Sequence, residues 1–166
     1  MSASEHQPTA ARIDWLAGAD EAGRWREWWT PQDASDSPAR AHEAWGRLEA
    51  ALAAPLSLTP ADWAGLIRTA SEELHEALET DFPGDDTAQA AAGLFLAGLN
   101  RELASRRVPV RCGLVFPGAR FDPDSMESVG ALSGNRFLVH RVCSWLVRDL
   151  SGPKPRIAAR ARVVTA

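Results

Sequence analysis

The chain has 166 residues, of which 45% are hydrophobic and 24% charged, and these values fit one globular domain with a well-buried core. No apolar run approaches the roughly 20 residues of a membrane-spanning helix, and residues 1–5 lack the basic and apolar regions of a signal peptide. We therefore expect a cytoplasmic protein that does not enter a membrane. Cys112 and Cys143 both lie in apolar, strand-like surroundings, which predicts two free thiols and no disulfide.

The formal net charge of −4 hides an uneven distribution along the chain. Residues 1–105 carry seven basic and eighteen acidic side chains, whereas residues 106–166 carry eleven basic and four acidic ones. Such an asymmetry favours docking onto an oppositely charged protein surface, contact with nucleic acid, or attraction between the two halves of the molecule.

The N-terminal region combines a polar tail with a tryptophan cluster. Residues 1–12 show no hydrophobic period and predict a flexible tail, and residues 20–29 predict a short helix. Within it Trp25, Trp28 and Trp29 have the i, i+3, i+4 spacing of one helical face. Because tryptophan strongly favours burial, this face is expected to pack against the rest of the protein. If the protein forms a homodimer, these three side chains are the predicted interface.

Three further helices are predicted at residues 38–53, 60–79 and 87–105. The second has the clearest start, because Thr59 can cap the helix, Pro60 suits its first turn and Asp62 complements the helix dipole. Short connections join these helices, which predicts an antiparallel helical bundle over residues 13–105.

One pattern inside the helix predicted at residues 60–79 resembles part of a dimetal site. Glu72 and His75 form a Glu-x-x-His pair, but the second such pair and the additional glutamates of a dimetal bundle are missing. We interpret this face as a solvated acidic surface and expect no metal and no cofactor. Phosphate-binding glycine loops, nucleophile elbows and paired cysteine motifs are absent from the sequence. The protein is therefore expected not to be an enzyme.

The region after residue 105 predicts strands and turns. Strands are expected at residues 108–116, 137–147 and 157–165, with a flexible link at residues 130–135. Phe121 precedes Asp122 and Pro123, and a residue before proline is held in an extended conformation, so a tight turn is expected there. Helices followed by strands predict an α+β protein with a small antiparallel β-domain at residues 106–166.

Two segments of this β-domain resemble the β-wing of the GrpE family, the nucleotide exchange factors of DnaK-type chaperones. The matching residues are Phe121, Asp122, Pro123, Met126, Glu127, Val129 and Gly130, then Ala161, Arg162, Val163 and Val164. The resemblance implies a co-chaperone that binds a DnaK-type ATPase and promotes the release of ADP. It also implies partner contacts at Phe121, Pro123, Met126, Glu127 and Arg162. For Phe121 the alternative is an apolar anchor that shapes the loop from inside.

Two other functions compete with nucleotide exchange. The first is a non-catalytic adaptor that keeps the β-wing as a scaffold and binds another protein through its tryptophan-rich helical part. The second is a nucleic-acid-binding protein that uses the arginines of the basic half. Nucleic-acid binding is not expected, because the sequence lacks the exposed aromatic and basic sheet motif of RNA-binding domains and the chain is acidic overall.

Overall fold

The structure is a computed structural model that describes residues 37–81, 86–132, 134 and 137–166. Three helices come first in this part of the chain: α1 (Ser37–Leu52), α2 (Pro60–Asp81) and α3 (Asp86–Ser105). A 3-10 turn, Pro55–Ser57, connects α1 to α2. Six strands follow: β1 (Val110–Gly113), β2 (Met126–Ala131), β3 (Val139–Val142), β4 (Leu146–Asp149), β5 (Arg156–Ala159) and β6 (Ala161–Thr165). The protein is therefore α+β, as the sequence predicts.

The three described helices agree with the predicted ones to within two residues at each end. The predicted tail and the predicted helix at residues 20–29 lie outside the described residues, and so do Trp25, Trp28 and Trp29. The proposed dimer interface on these tryptophans therefore stays a prediction.

The start of α2 shows why the helix boundaries follow from local sequence. The amide of Asp62 donates to Thr59 Oγ1 at 3.1 Å, and the amide of Thr59 donates to Asp62 Oδ2 at 3.0 Å. This reciprocal capping satisfies two backbone donors that a helix start otherwise leaves open. The hydrogen bonds from Thr59, with the backbone bond the larger cause, lower the pKa of the Asp62 carboxyl.

The helices and one of the two sheets share the larger hydrophobic core. In that core α1 and α3 both contribute aromatic rings, and the Trp45 and Phe95 centroids lie 5.8 Å apart in an edge-to-face arrangement. The strand residues Val110 and Val147 are fully buried in the same cluster. The predicted boundary at residue 105 therefore does not separate two cores, because β1 and β4 complete the helical one.

Each of the two sheets has three strands. The first has the order β1-β4-β5 and is antiparallel throughout, with Cys112 opposite Val147. The second has the order β2-β6-β3, and here β2 runs parallel to β6 while β3 runs antiparallel to it. The prediction of a purely antiparallel β-domain is thus wrong for the β2–β6 pair. The second sheet contributes Met126, Val142 and Val163 to a smaller hydrophobic cluster.

Helix α3 is tied to the free edge of β1 by one side chain. Asn100 Nδ2 donates to the Cys112 carbonyl at 2.9 Å, and the Cys112 amide donates to Asn100 Oδ1 at 2.8 Å. Asn100 thereby satisfies both backbone groups of Cys112 on the side of β1 that has no neighbouring strand. An edge strand that is covered in this way resists pairing with other chains.

The predicted strand at residues 137–147 is wrong, because the chain leaves the second sheet and enters the first within it. The amides of Cys143 and Ser144 both donate to the Arg162 carbonyl, at 2.7 and 3.3 Å. The amide of Trp145 donates to the buried Ser71 Oγ of α2 at 3.1 Å. These bonds hold a crossing between β3 and β4, and long-range partners of this kind leave no local signal in the sequence.

The predicted strand at residues 157–165 also divides into two. Only Arg160 separates β5 from β6, yet β5 belongs to the first sheet and β6 to the second.

The predicted link at residues 130–135 is wrong at its start, because β2 extends to Ala131. Strand β2 pairs with β6 with a register shift between Ser128 and Gly130.

None of the helices in the described part of the chain has both the length and the hydropathy that crossing a lipid bilayer requires.

Candidate functional site

The loop that carries the predicted partner contacts is a tightly bonded turn. Asp122 accepts the amide of Met126 on its backbone carbonyl at 2.8 Å and the Ser125 hydroxyl on its carboxylate at 2.8 Å. Arg160 Nη1 reaches across from the β5–β6 junction and donates to the Pro123 carbonyl at 3.3 Å. Pro123 is exposed at the tip, where its ring fixes the backbone. The turn therefore presents Pro123 in one conformation.

Phe121 and Met126 lie differently from Pro123. Phe121 is half-buried and packs against the smaller cluster, and its amide donates to the Phe137 carbonyl at 2.6 Å. Met126 is buried within that cluster. Phe121 thus combines an anchoring contact with a partly open ring, whereas the Met126 side chain supports the turn from below.

Glu127 and Arg162 are register partners on β2 and β6, and both form ion pairs with α2. Arg68 Nη2 lies 3.4 Å from Glu127 Oε2, and Arg162 Nη1 donates to Glu72 Oε1 at 2.8 Å. Arg68 Nε also lies 3.5 Å from Glu72 Oε1, so the four side chains form one network. The bond to Glu72 is the largest cause that raises the pKa of Arg162. The network braces the second sheet against α2.

The exposed end of the second sheet carries apolar side chains that the sequence analysis did not identify. Leu132 and Phe137 are 61% and 68% exposed, and Leu138 is exposed beside them. Backbone bonds from Leu132 to Thr165 and from Ala166 to Leu138 hold these residues on either side of the end of β6. We call Leu132, Phe137 and Leu138 the apolar rim. Large contiguous apolar patches mark interaction surfaces, which makes the apolar rim a candidate for partner contact.

A cleft of about 420 Å³ separates α2 from the second sheet. We call it the α2–sheet cleft. Its helical wall consists of Glu72, His75, Glu76, Glu79 and Thr80, and its sheet wall of Val129, Arg141, Val142, Cys143 and Arg162. The helical half has a sequence signal, since these residues recur at the spacing of one helix face. The sheet half depends on the crossing at residues 143–145, which the sequence analysis missed.

His75 is the least expected member of the cleft. The prediction that it lies on a solvated face is wrong: the residue is 6% exposed, and its ring lies edge-to-face with Trp145 at a centroid distance of 6.3 Å. Burial lowers the pKa of the imidazole to about 4. His75 is therefore neutral at pH 7, and each ring nitrogen can make a single hydrogen bond.

No family model and no curated protein matches this sequence. The chemistry of the site must therefore be judged from its own residues.

Three kinds of chemistry can be judged from these residues: metal binding, nucleophilic attack and contact with another protein. Among the residues that the structure describes, no group of three or more His, Cys, Asp or Glu side chains is placed to hold a metal ion. Cys112 is buried, and burial raises the pKa of its thiol to about 12, which makes it a poor nucleophile. What the second sheet presents outward is an ordered turn and an apolar rim, and both suit contact with another protein.

Proposed function

We propose that this protein acts by binding another protein, as a nucleotide exchange factor that engages a DnaK-type chaperone ATPase and promotes the release of ADP. One observation carries the proposal. The two segments that resemble the GrpE family lie more than 30 residues apart in the sequence, yet they run side by side as β2 and β6, with Met126 opposite Ala161 and Glu127 opposite Arg162. If the two segments form one functional surface, they must lie close together in the fold. If their similarity to the family were due to chance, nothing would require them to be neighbours.

An exchange factor needs a rigid surface and no catalytic residue of its own. It works by binding the open state of its partner more tightly than the closed state, and the shift is limited by that difference in affinity. Rigidity of the second sheet is supplied by the ion-pair network with α2 and by the bond from Trp145 to Ser71. A preformed surface of this kind loses little conformational entropy on binding.

The proposed contacts are Pro123 at the tip of the turn, the open part of Phe121, and Phe137 of the apolar rim. Phe121 and Phe137 are joined by a backbone hydrogen bond of 2.6 Å, so the two residues lie next to each other. Glu127 and Arg162 support this surface through their ion pairs, and Met126 supports it through the smaller cluster. The predicted interface of any homodimer is Trp25, Trp28 and Trp29.

The second candidate is a non-catalytic adaptor, and the apolar rim favours it. A rim with Leu132 and Phe137 more than 60% exposed suits any partner with a complementary apolar groove, whether or not that partner binds nucleotide. The two candidates share a surface and differ in the partner.

Release of a fluorescent ADP analogue from the DnaK-type ATPase of the same genome tests the proposal. We expect the wild type to accelerate release and Phe137→Ala to need about thirtyfold more protein for the same rate, because one interface anchor contributes about 2 kcal/mol. Ile157→Ala is the matched control, since Ile157 is an exposed apolar residue of the other sheet. Failure of the wild type to accelerate release from any such ATPase removes the exchange proposal. Retained binding without acceleration would favour the adaptor.

A further inference from the structure

Strands β5 and β6 form one arm of a long, bent hairpin, and strands β3 and β4 form the other. Across the hairpin β4 pairs with β5 and β3 pairs with β6, both antiparallel. On the opposite side of the β5–β6 arm, β2 pairs with β6 alone. Within the described part of the chain, β5 therefore has no strand on the side on which β2 covers β6. We call this side the open edge of β5.

The backbone of Ile157 faces the open edge. The amide of Leu150 donates to the Pro109 carbonyl at 2.8 Å, so Leu150 directs its backbone groups towards β1. Successive residues of a strand direct these groups to opposite sides, so Asp149 directs its own towards β5, where it is paired with Arg156. By the same alternation Ile157 directs its N–H and its C=O away from β4.

The two edges of the first sheet differ in how they are covered. At β1, Asn100 bonds both backbone groups of Cys112, and Arg111 Nη1 donates to the carbonyls of Val108 and Val110 at 2.8 and 2.6 Å. No side chain in the described part of the chain bonds to the backbone of residues 156–159. A covered edge resists further pairing, whereas an uncovered edge can accept an extended peptide as an additional strand.

A groove of about 340 Å³ lies along the open edge. Residues 157–159 form one wall, and Asp124 of the turn and Glu127 of β2 stand on the facing side. Glu127 is held by its ion pair with Arg68 of α2, at 3.4 Å. Because the two walls belong to separate, fixed elements, an extended segment can enter the groove with little rearrangement of the protein.

The charges around the groove define the chemistry of such a segment. Within the described residues Arg148, Lys154 and Arg160 form no ion pair, whereas the carboxylates beside the groove are paired with arginines, except that of Asp124. Ile157 is 41% exposed and lies opposite Arg148 in the register of the sheet. A complementary segment therefore carries acidic side chains together with an aliphatic one that covers Ile157.

We propose that the first sheet accepts an acidic, extended segment of a partner protein as a fourth strand beside β5. The main chain of the segment bonds to the N–H and C=O of Ile157, and its acidic side chains pair with Lys154 and Arg160. The first sheet takes no part in the proposed exchange function, so either proposal can fail without the other.

Fluorescence anisotropy of a labelled peptide with the full chain tests the proposal. The probe is a short peptide that alternates glutamate with valine, and its control is the same peptide with every main-chain amide N-methylated. Methylation removes the main-chain donors and keeps the charges. We expect about tenfold weaker binding of the control, the factor that corresponds to about 1.4 kcal/mol of lost hydrogen bonding.

The substitution Ile157→Pro makes the same test on the protein. Proline is tolerated in an edge strand where the N–H that it removes faces away from the sheet, so the fold should persist while the donor to the incoming strand is lost. Ile157→Val keeps this N–H and is the matched control. We expect about tenfold weaker binding of the unmodified peptide by Ile157→Pro and less than about a twofold change for Ile157→Val.

Several outcomes would overturn the proposal. Equal affinity for the two peptides, or no binding of the unmodified one, would do so, and this comparison decides if Ile157→Pro unfolds. Equal affinity of the wild type and of folded Ile157→Pro would have the same meaning. A wild type that self-associates and becomes monomeric with Ile157→Pro would also overturn it, because the fourth strand would then come from a second copy.

Discussion

The buried imidazole of His75 should make the stability of the fold depend on pH between about 4 and 6.5. In the unfolded chain the imidazole has its ordinary pKa of 6.5, whereas burial lowers the pKa in the folded protein to about 4. Between these two values the unfolded state binds the proton and the folded state does not. The free energy of unfolding therefore falls as the pH decreases from 6.5 towards 4, and above pH 6.5 this contribution hardly changes.

The size of the effect follows from the two pKa values. One pH unit corresponds to 1.36 kcal/mol of differential proton binding, so lowering the pH from 6.5 to 5 costs about 2 kcal/mol. The full interval down to pH 4 costs about 3 kcal/mol. Burial is the cause of the lowered pKa of His75, which shares the cleft with the carboxylates Glu72, Glu76 and Glu79 and with the guanidinium groups of Arg141 and Arg162.

Urea unfolding of the wild type and of His75→Phe at pH 7 and pH 5 measures this contribution. Phenylalanine keeps an aromatic ring against Trp145 and removes the titration. Carboxylates elsewhere titrate in both proteins, so the difference between the two pH effects isolates the imidazole. We expect the wild type to lose about 2 kcal/mol more than the variant. An equal loss in both proteins would mean that the imidazole takes up its proton in the folded state at an ordinary pKa, and the buried placement of His75 would be refuted.

Three further substitutions test the contacts that join helices to strands, each by urea unfolding at pH 7. Asn100→Ala should lower the free energy of unfolding by about 2–3 kcal/mol, because the amide and the carbonyl of Cys112 both lose their partner; a loss below about 0.5 kcal/mol would show that water replaces both bonds. Ser71→Ala should cost about 1–2 kcal/mol, since the Trp145 amide then lacks an acceptor in a buried site. Arg68→Gln should cost less than about 1 kcal/mol, because its ion pairs are more than a third exposed, and a larger loss would indicate strong cooperativity within the network.

The helices could be predicted from the sequence because their signals are local. The capping pair of Thr59 and Asp62 lies within four residues, and the proline at the first helical position lies between them. Such contacts form wherever the segment forms, so the positions of caps and prolines fix the boundaries of a helix. The three described helices accordingly begin and end within two residues of the predicted positions.

The strands could be located only in part, because their boundaries depend on distant partners. Residues 137–147 are rich in apolar and β-branched side chains and resemble one strand, but the bond between Trp145 and Ser71 joins residues 74 positions apart and turns the chain between sheets. Strand β2 contains Ser128 and Gly130, which have little β-propensity, and it exists because β6 lies beside it. Pairing with a distant strand outweighs local propensity in both cases.

The same distinction applies to the candidate site. The turn at Pro123 could be predicted, since proline and aspartate determine its backbone locally. The burial of His75 could not, because it results from contact with Trp145, 70 residues further along the chain. The apolar rim follows from the way in which β6 ends between Leu132 and Leu138, and no hydrophobic period indicates it.

Strand β6 connects the two surfaces of this protein through one residue. The side chain of Arg162 lines the α2–sheet cleft and pairs with Glu72, while its backbone amide donates to Ser144 Oγ at 3.0 Å and its carbonyl accepts two amides at the crossing between the sheets. The cleft therefore contains the residue that fixes the position of the second sheet on the helices. The proposed partner surface lies on that same sheet. Any change that displaces Arg162 should therefore alter both the cleft and the proposed partner surface.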